Sequence, residues 1–587
     1  MKTIVLAMAA GCLGALNAVD FGLNWDENVW EVRTPVLDVA PAAGFRGRVA
    51  GIERITAANA VGDESKKTFR AVAWRNERVN GQFVVWSAEG EKQLRLEPGE
   101  LVSEQGRIPA SAVCGRLVRY VRASLVKPSK VIVPEQYVGD CLDDVASTDT
   151  GWLDLPKNGF RPVWITISVP KDAAPGLYRG TFAVRAFGNK RLEFPIELTV
   201  RAETLADPKD WAFYLDLWQH PWAVARYHHV KPFSDEHFRH LEPLLKELAA
   251  CGQKTVTATI TDLPWNHQNF DAYRTMVEHV KNADGTWTHD YSVFDRWVAF
   301  ARSCGLNRQI HCYTMASWGN IVYYVDGATG DRIAVELKAG TPEHEAFWAP
   351  FLRDFSKHLA AKGWLGNAYI ALDERSREEL MASVECIRKN APQLKVAMAG
   401  NLPPSTFAGI EVHNYCSAMG KITPEYIAEI PARRAKGYTT TYYICCGPLQ
   451  PNTFATSPLE ESRWLGLFAS AKDLDGMLRW AAFNWPRDPF ADTTFPGHRG
   501  AGGWRPGDTF LLYPDARASV RWEVFRDSVE NFEKIRALRA AGKATAELDA
   551  SLKALVFDAK VTDKSASAWA AEADRVEAAI DAASARR

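Results

Sequence analysis

Asp373 and Glu374 stand side by side at the end of an apolar run, Asn367-Ala368-Tyr369-Ile370-Ala371-Leu372. Two neighbouring carboxyl groups can divide one reaction between them. One acts as general acid/base, and the other stays as a fixed anion beside developing positive charge. The run before them is short, rich in β-formers and bounded by Gly366, which predicts a buried parallel strand. Ser376-Arg377-Glu378-Glu379 then has the pattern of a capping box, so a helix begins there. The pair thus lies at the C-terminal end of a strand and ahead of a helix, where β/α proteins carry catalytic groups. Acids near a helix N-terminus can simply complement its dipole. Here Glu378 and Glu379 already fill that position, and the pair precedes the cap.

The elements around the pair alternate. Strands are predicted at 211–218, 255–261, 309–313, 367–372, 394–399, 410–415, 438–446 and 476–484, with helices at 234–250, 293–303, 342–361, 377–389, 424–435 and 458–471. Phe238, Leu241, Leu244, Leu245 and Leu248 share one face of the first helix, and Gly252 follows its end. Thr341-Pro342, Thr423-Pro424 and Ser457-Pro458 each read as a cap followed by proline at the first helical position. Eight strands alternating with helices predict an α/β protein with a (β/α)₈ TIM-like barrel, the acidic pair closing strand four. Residues 19–205 lack helical periodicity and read as short strands with turns between them, such as Val163–Val169 and Phe194–Val200, hence an N-terminal β-sandwich. The barrel with its C-terminal extension is placed at 206–540, and an Ala-rich, charged helical segment at 541–587.

Residues 1–18 have the make-up of a signal peptide: Lys2, an apolar stretch from Ile4 to Leu16, and a small-residue cleavage site at Leu16-Asn17-Ala18. Export to the periplasm or the medium is expected. Ala9-Ala10-Gly11-Cys12 departs from a lipoprotein signal in lacking its leucine, and the apolar stretch is too short to span a membrane. With 70 basic against 71 acidic residues and no basic run, nucleic acid is excluded as an expected partner. The ten cysteines form no disulfide framework and no CxxC motif, and Cys312, Cys416 and Cys445 fall in apolar strands as small core residues. No metal or cofactor is expected: HExxH, GxGxxG and Walker patterns are absent, and His228-His229 reads as a surface pair. The sequence gives no reading of oligomeric state.

Twenty-one tryptophans are an unusual number and many belong to the core, yet Trp218, Trp265, Trp318, Trp480, Trp485 and Trp504 fall near strand ends or in Gly/Pro-rich loops. Indole faces outside a core suit the apolar faces of sugar rings. Paired carboxylates in an exported, Trp-rich barrel suggest glycoside hydrolysis. A retaining glycosidase with its own nucleophile sets two carboxyl groups about 5–5.5 Å apart across the bond, whereas adjacent strand residues point to opposite faces. The adjacent pair fits substrate assistance better. Glu374 would serve as general acid/base, protonated near neutral pH with help from the neighbouring anion, and Asp373 would orient a 2-acetamido group that itself attacks the anomeric carbon.

Residues 205–540 resemble the glycoside hydrolase family 123 β-N-acetylgalactosaminidases, whose barrels carry DUF4091-type sequence. The resemblance rests on the segments 213–221, 370–375, Gly502-Gly503-Trp504-Arg505-Pro506-Gly507-Asp508 continuing to Pro514, and 532–536. It implies retaining, substrate-assisted release of terminal β-linked N-acetylgalactosamine from a glycolipid, glycoprotein or polysaccharide, with the acidic pair carried over to Asp373 and Glu374. Candidate sugar contacts are Trp218 and His220 after strand one, Trp265, Tyr443 on strand seven, Trp485 after strand eight, and Trp504 with Asp508 in the following loop. Tyr415, at the end of strand six, is either a donor to the acetamide oxygen or a buried tyrosine with a backbone partner, and Asp508 is alternatively a turn former. Trp480 is assigned to strand eight and the core. Competing readings are a non-catalytic carbohydrate-binding surface protein and a glycosidase of different sugar specificity.

Overall fold

The computed structural model describes residues 35–123, 136–144, 153–266, 268–407, 409–494 and 504–586. The expected leader, residues 1–18 with Cys12, lies outside them, as do Gly502 and Gly503. Two mostly antiparallel sheets come first. One orders Phe45–Ala50, Arg78–Ser87, Gly159–Ser168, Val113–Ala123 and Gln136–Asp143, and the other Phe69–Arg75, Lys190–Thr204, Gly176–Ala186, Glu91–Pro98 and Leu153–Leu155. Side chains alternate along each strand, so Ile196, Leu198 and Val200 face the opposite sheet, and Phe83 stacks on Phe194 with centroids 4.4 Å apart.

Eight parallel strands follow as a nearly closed barrel: β1 (Tyr214–Leu217), β2 (Thr255–Thr259), β3 (Gln309–Tyr313), β4 (Ala368–Leu372), β5 (Lys395–Gly400), β6 (Asn414–Ala418), β7 (Thr439–Ile444) and β8 (Gly476–Arg479). Backbone ladders run from β2 through β8 to β1, while between β1 and the chain entering β2 there is a single bridge, Leu215 to Gln253. Side-chain amides complete that seam. Gln253 accepts from the Leu217 N–H at 3.0 Å and donates to the Leu217 and Thr255 carbonyls, and Gln219 accepts from the Thr257 N–H at 2.8 Å. Backbone groups that lack a ladder partner are thereby satisfied in the interior.

The expected helices form at Asp235–Ala250, Ser292–Ser303, Pro342–Ala361, Arg377–Asn390, Pro424–Ala435 and Leu459–Ala471. Thr341 and Thr423 cap theirs through their hydroxyls, but the last helix starts one residue later than expected, with Pro458 rather than Ser457 at its cap. Strand ends differ more. Trp211 precedes β1, β8 stops at Arg479, and β6 begins at Asn414 rather than Ile410. The loops after β2 and β3 also hold a small sheet that period-based reading missed, ordered Trp287–Asp290, Glu278–Lys281, Ile321–Asp326 and Arg332–Glu336.

Helix Val520–Ala540 ties barrel to sandwich through buried ion pairs: Glu523 with Arg78 and Arg116 at 2.9 and 2.8 Å, and Lys534 with Glu77. Arg521, fully buried, grips both oxygens of Asp140 at 2.9 Å and donates to the Thr453, Gly507 and Phe510 carbonyls. A Cβ at Gly507, where φ is +68°, would stand 2.9 Å from that guanidinium, which explains a glycine there. The C-terminal helices Ala546–Lys553 and Ala566–Ser584 fold back on this junction. Trp464 Nε1 donates to Glu572 at 2.8 Å and Trp74 Nε1 to Ser584 at 2.9 Å. Among the described residues no helix is long and apolar enough to cross a membrane.

Burial works against the charge of Asp140, yet Arg521 and Arg54 together hold its carboxyl below the ordinary range. Replacing Asp140 by alanine leaves two buried guanidinium groups without a counter-charge, so a loss of about 3–5 kcal/mol in denaturant unfolding is expected. Lys92→Ala, which breaks an exposed pair with Asp154, should cost under about 1 kcal/mol. Equal small losses would contradict a junction held by Asp140.

Candidate active site

A cavity of about 720 Å³ opens at the C-terminal end of the barrel, lined among the described residues by Trp218, Trp265, Asn266, Gln268, Trp318, Asp373, Glu374, Ala399, Tyr443, Cys445, Cys446, Leu478, Trp480 and Trp504. Every strand but β6 contributes, from its last residues or from the loop after it. Asp373 and Glu374 follow β4 directly, and the capping box beyond them is formed, with the Ser376 hydroxyl accepting from the Glu379 N–H and the Glu379 carboxylate accepting from the Ser376 N–H.

The two carboxylates have different surroundings. Asp373 is only 6% exposed. Trp318 Nε1 donates to its Oδ2 at 3.0 Å, and the Trp265 indole N–H is turned toward it without reaching full hydrogen-bond geometry. Burial, then the neighbouring Glu374 charge, pushes the Asp373 carboxyl up to about 7. The more deeply buried member of the pair thus carries an upward shift of its own. Glu374 accepts a hydrogen bond from the Tyr443 hydroxyl, which also lies 3.0 Å from Asn401 Oδ1. Arg375 braces the arrangement from behind. It donates to the Trp318 carbonyl at 3.1 Å and to Asn320 at 2.8 Å, and it pairs with Glu379 at 2.6 Å.

Aromatic rings make the remaining walls. Trp218 stacks on Trp265 at 4.4 Å, Tyr313 lies against both, and Trp480 meets Trp504 edge-on at 5.2 Å. Trp504 Nε1 donates to the Gln268 carbonyl at 2.9 Å, joining the loop beyond β8 to the loop after β2. Trp480 is not within its strand as the sequence suggested. Because β8 ends at Arg479, the indole falls at the mouth, and Asp508 accepts its N–H at 3.1 Å.

Trp218, Trp265, Tyr443 and Trp504 therefore join the acidic pair in one cavity, and four other candidates do not. His220 is buried as the cap of helix Pro221–Tyr227, its Nε2 on the Asp271 carbonyl, and burial pushes its pKa down to about 3. Trp485 is buried and donates to the Leu512 carbonyl at 2.7 Å. Asp508 is neither a cavity residue nor a simple turn former: it is fully buried, paired with Arg479 at 3.0 Å, and it positions Trp480. Tyr415 is the second residue of β6, not its last. Asn414 reaches Gln309 inside the barrel at 3.0 Å, so alternation turns Tyr415 outward, where its hydroxyl donates to the Leu402 carbonyl. Asn266, Gln268, Cys445 and Cys446 had been missed. For the cysteines the missed signal was the true end of β7 at Ile444. His229 is exposed, His228 stacks on His240 at 3.8 Å near Asp515, and none of these lines the cavity.

The description "Glycoside hydrolase 123, catalytic domain" matches residues 218–538, and that of the glycoside hydrolase 123 N-terminal domain matches residues 56–186. The chain belongs to glycoside hydrolase family 123. The solved structure of a family 123 glycoside hydrolase from Clostridium perfringens, reported for glycolipid glycan hydrolysis, aligns with TM-score 0.83 at 25% identity, over 92% of this chain and 99% of its own. A GH5 xyloglucanase from Bacteroides ovatus aligns over 82% of this chain at 9% identity with TM-score 0.28, too low to carry an argument. No curated protein matches. The family and the barrel-plus-sandwich fold read from the sequence are thereby established for this family 123 hydrolase.

The Asp373 environment gives a direct test. Trp318→Phe keeps the ring but removes a donor that favours the anion, so the Asp373 carboxyl should titrate above about 7 in carbon-13 NMR. An unchanged or lower midpoint would show that Trp318 does not hold the carboxylate.

Proposed function

We propose that this family 123 hydrolase releases terminal, non-reducing β-linked N-acetylgalactosamine with retention, using the substrate's acetamide as nucleophile. One observation carries the reading: among the described residues lining the cavity, the only carboxylates are two adjacent ones, Asp373 and Glu374. The nearest rival nucleophile, Asp216, sits deeper on β1, 2% exposed and 3.3 Å from His311. The Clostridium perfringens relative supports a glycan substrate, and a glycolipid glycan is the natural first one to offer. Export through residues 1–18 is part of the same proposal.

In the proposed reaction the sugar ring lies against the cavity's indole faces. Glu374 gives its proton to the glycosidic oxygen while the acetamide oxygen attacks the anomeric carbon, and the aglycone departs. Asp373, as carboxylate, accepts the amide N–H and balances the charge of the oxazolinium ring. Glu374 then takes a proton from water attacking the same carbon, and two inversions give net retention. Tyr443 holds Glu374 and brings a phenol hydroxyl to the cavity, while Tyr415 keeps its backbone partner. Because Asp373 loses its charge as pH falls through about 7, kcat/KM should decline on the acid side of that value.

A panel of nitrophenyl β-glycosides tests the proposal. Turnover is expected for β-GalNAc and absent for β-Gal, which lacks the acetamide. Turnover of β-Gal would restore an enzyme nucleophile, β-GlcNAc as the preferred substrate would overturn the GalNAc assignment, and sugar binding without any turnover would make the chain a carbohydrate binder. Glu374→Gln should lower glycosylation by about 10²- to 10⁴-fold, and less for the best leaving groups. Equal losses across a leaving-group series would contradict its role as acid.

A further inference from the structure

Strand β7 ends at Ile444, and Cys445 and Cys446 follow it into the cavity wall. Their sulfur atoms are 3.7 Å apart, Cys446 is exposed and Cys445 half-buried. Both belong to the wall that carries Tyr443, two residues upstream, whose hydroxyl contacts Glu374. The chain beyond them is firmly held. Asn452, fully buried, donates to the Cys445 carbonyl at 3.0 Å and the Pro448 carbonyl at 2.7 Å, and its own N–H donates to Glu461 at 2.7 Å. A pair of thiols has thus been placed in contact, open to solvent and anchored, on the surface that receives the sugar.

We propose that Cys445 and Cys446 form a reversible dithiol–disulfide site in the wall of the sugar cavity, and that closing the disulfide lowers glycoside turnover. The oxidant class is a small-molecule disulfide. The Cys446 thiolate attacks one sulfur of that disulfide, displacing a thiolate and leaving a mixed disulfide on Cys446. Cys445, deprotonated, then attacks the Cys446 sulfur and displaces the second thiol. Two protons and two electrons leave the pair, and both reappear in the two released thiols. The asymmetry of the pair suits that order. The hydrogen bond from Cys445 holds the Cys446 thiol below its ordinary range, while contact with Cys446 and then burial push Cys445 up.

Adjacent Cα atoms are about 3.8 Å apart across a trans peptide, closer than the roughly 4.4–6.8 Å that disulfides usually span. Ring closure therefore twists the backbone at 445–446. With Asn452 fixing the downstream side, the twist passes back through Ile444 to Tyr443 and loosens its contact with Glu374. The same constraint keeps the bond easily reduced, so the change is reversible.

The experiment uses the full chain and glutathione disulfide. Tryptic fragment 437–463 holds these two cysteines and no other. After treatment it should lose two hydrogen masses, and kcat/KM on whichever glycoside the enzyme turns over should fall severalfold in step, with both reversed by dithiothreitol. Cys445→Ser should stop at the mixed disulfide, leaving a glutathione adduct on Cys446. A wild-type fragment that stays reduced, or that carries glutathione without closing the ring, would overturn the site. Ring closure with unchanged turnover would overturn its coupling to the reaction. The mass readout needs no substrate, so its failure is distinguishable from failure of the GalNAc assignment.

Discussion

Keeping two like charges on consecutive residues, one of them nearly removed from water, is the constraint on which this architecture turns. Asp373 meets both the desolvation of its carboxylate and repulsion from Glu374, and with its hydrogen bonds counted its pKa still stands at about 7. The surroundings return part of that cost in directed N–H groups: the Trp318 indole, the approach of Trp265 and the Glu374 backbone N–H. Glu374 has its own support in the Tyr443 hydroxyl. A charge held this way is poised. In the free cavity it is weakly solvated, and a ligand bearing an N–H or a positive ring supplies what water does not.

Much of the rest serves placement. Arg375 fixes the Trp318 carbonyl, so the residue after the acidic pair also sets the donor that stabilises it. Asp508 holds Trp480 at the mouth while remaining buried against Arg479. Arg521 fastens this segment to Asp140 of the sandwich through the Gly507 carbonyl, and Tyr513 of the same loop donates to Asp140 directly at 2.8 Å. The sandwich and helix Val520–Ala540 thereby act on the site indirectly, by pinning the loop beyond β8.

The barrel was legible because its helices have one apolar face each and its strands are short apolar runs between turn residues. The acidic pair was legible for a related reason: a capping box marks where β4 must already have ended. What could not be read was which residues of a fully buried strand point inward. Such strands are apolar on both faces and lose the alternation that marks a half-exposed sheet. Tyr415 and Tyr443 show the consequence, since both are strand tyrosines and only register, set by Asn414 on Gln309, sends the first outward. Strand ends set the other differences. Trp480, Cys445 and Cys446 were counted as strand residues, and each lies beyond the last ladder bond.

Participation of the acetamide is the chemical heart of the proposed reaction, and it has a direct measure. Aryl β-GalNAc substrates can be made with mono-, di- and trifluoroacetyl groups on nitrogen, each fluorine drawing electron density from the carbonyl oxygen while leaving the sugar and the leaving group in place. If that oxygen attacks the anomeric carbon, kcat/KM falls steeply with each added fluorine, and the trifluoroacetyl substrate is nearly inert. A flat series, together with a labelled peptide containing Asp216, Asp373 or Glu374 after fluorosugar trapping, would show that the protein supplies the nucleophile and contradict the mechanism.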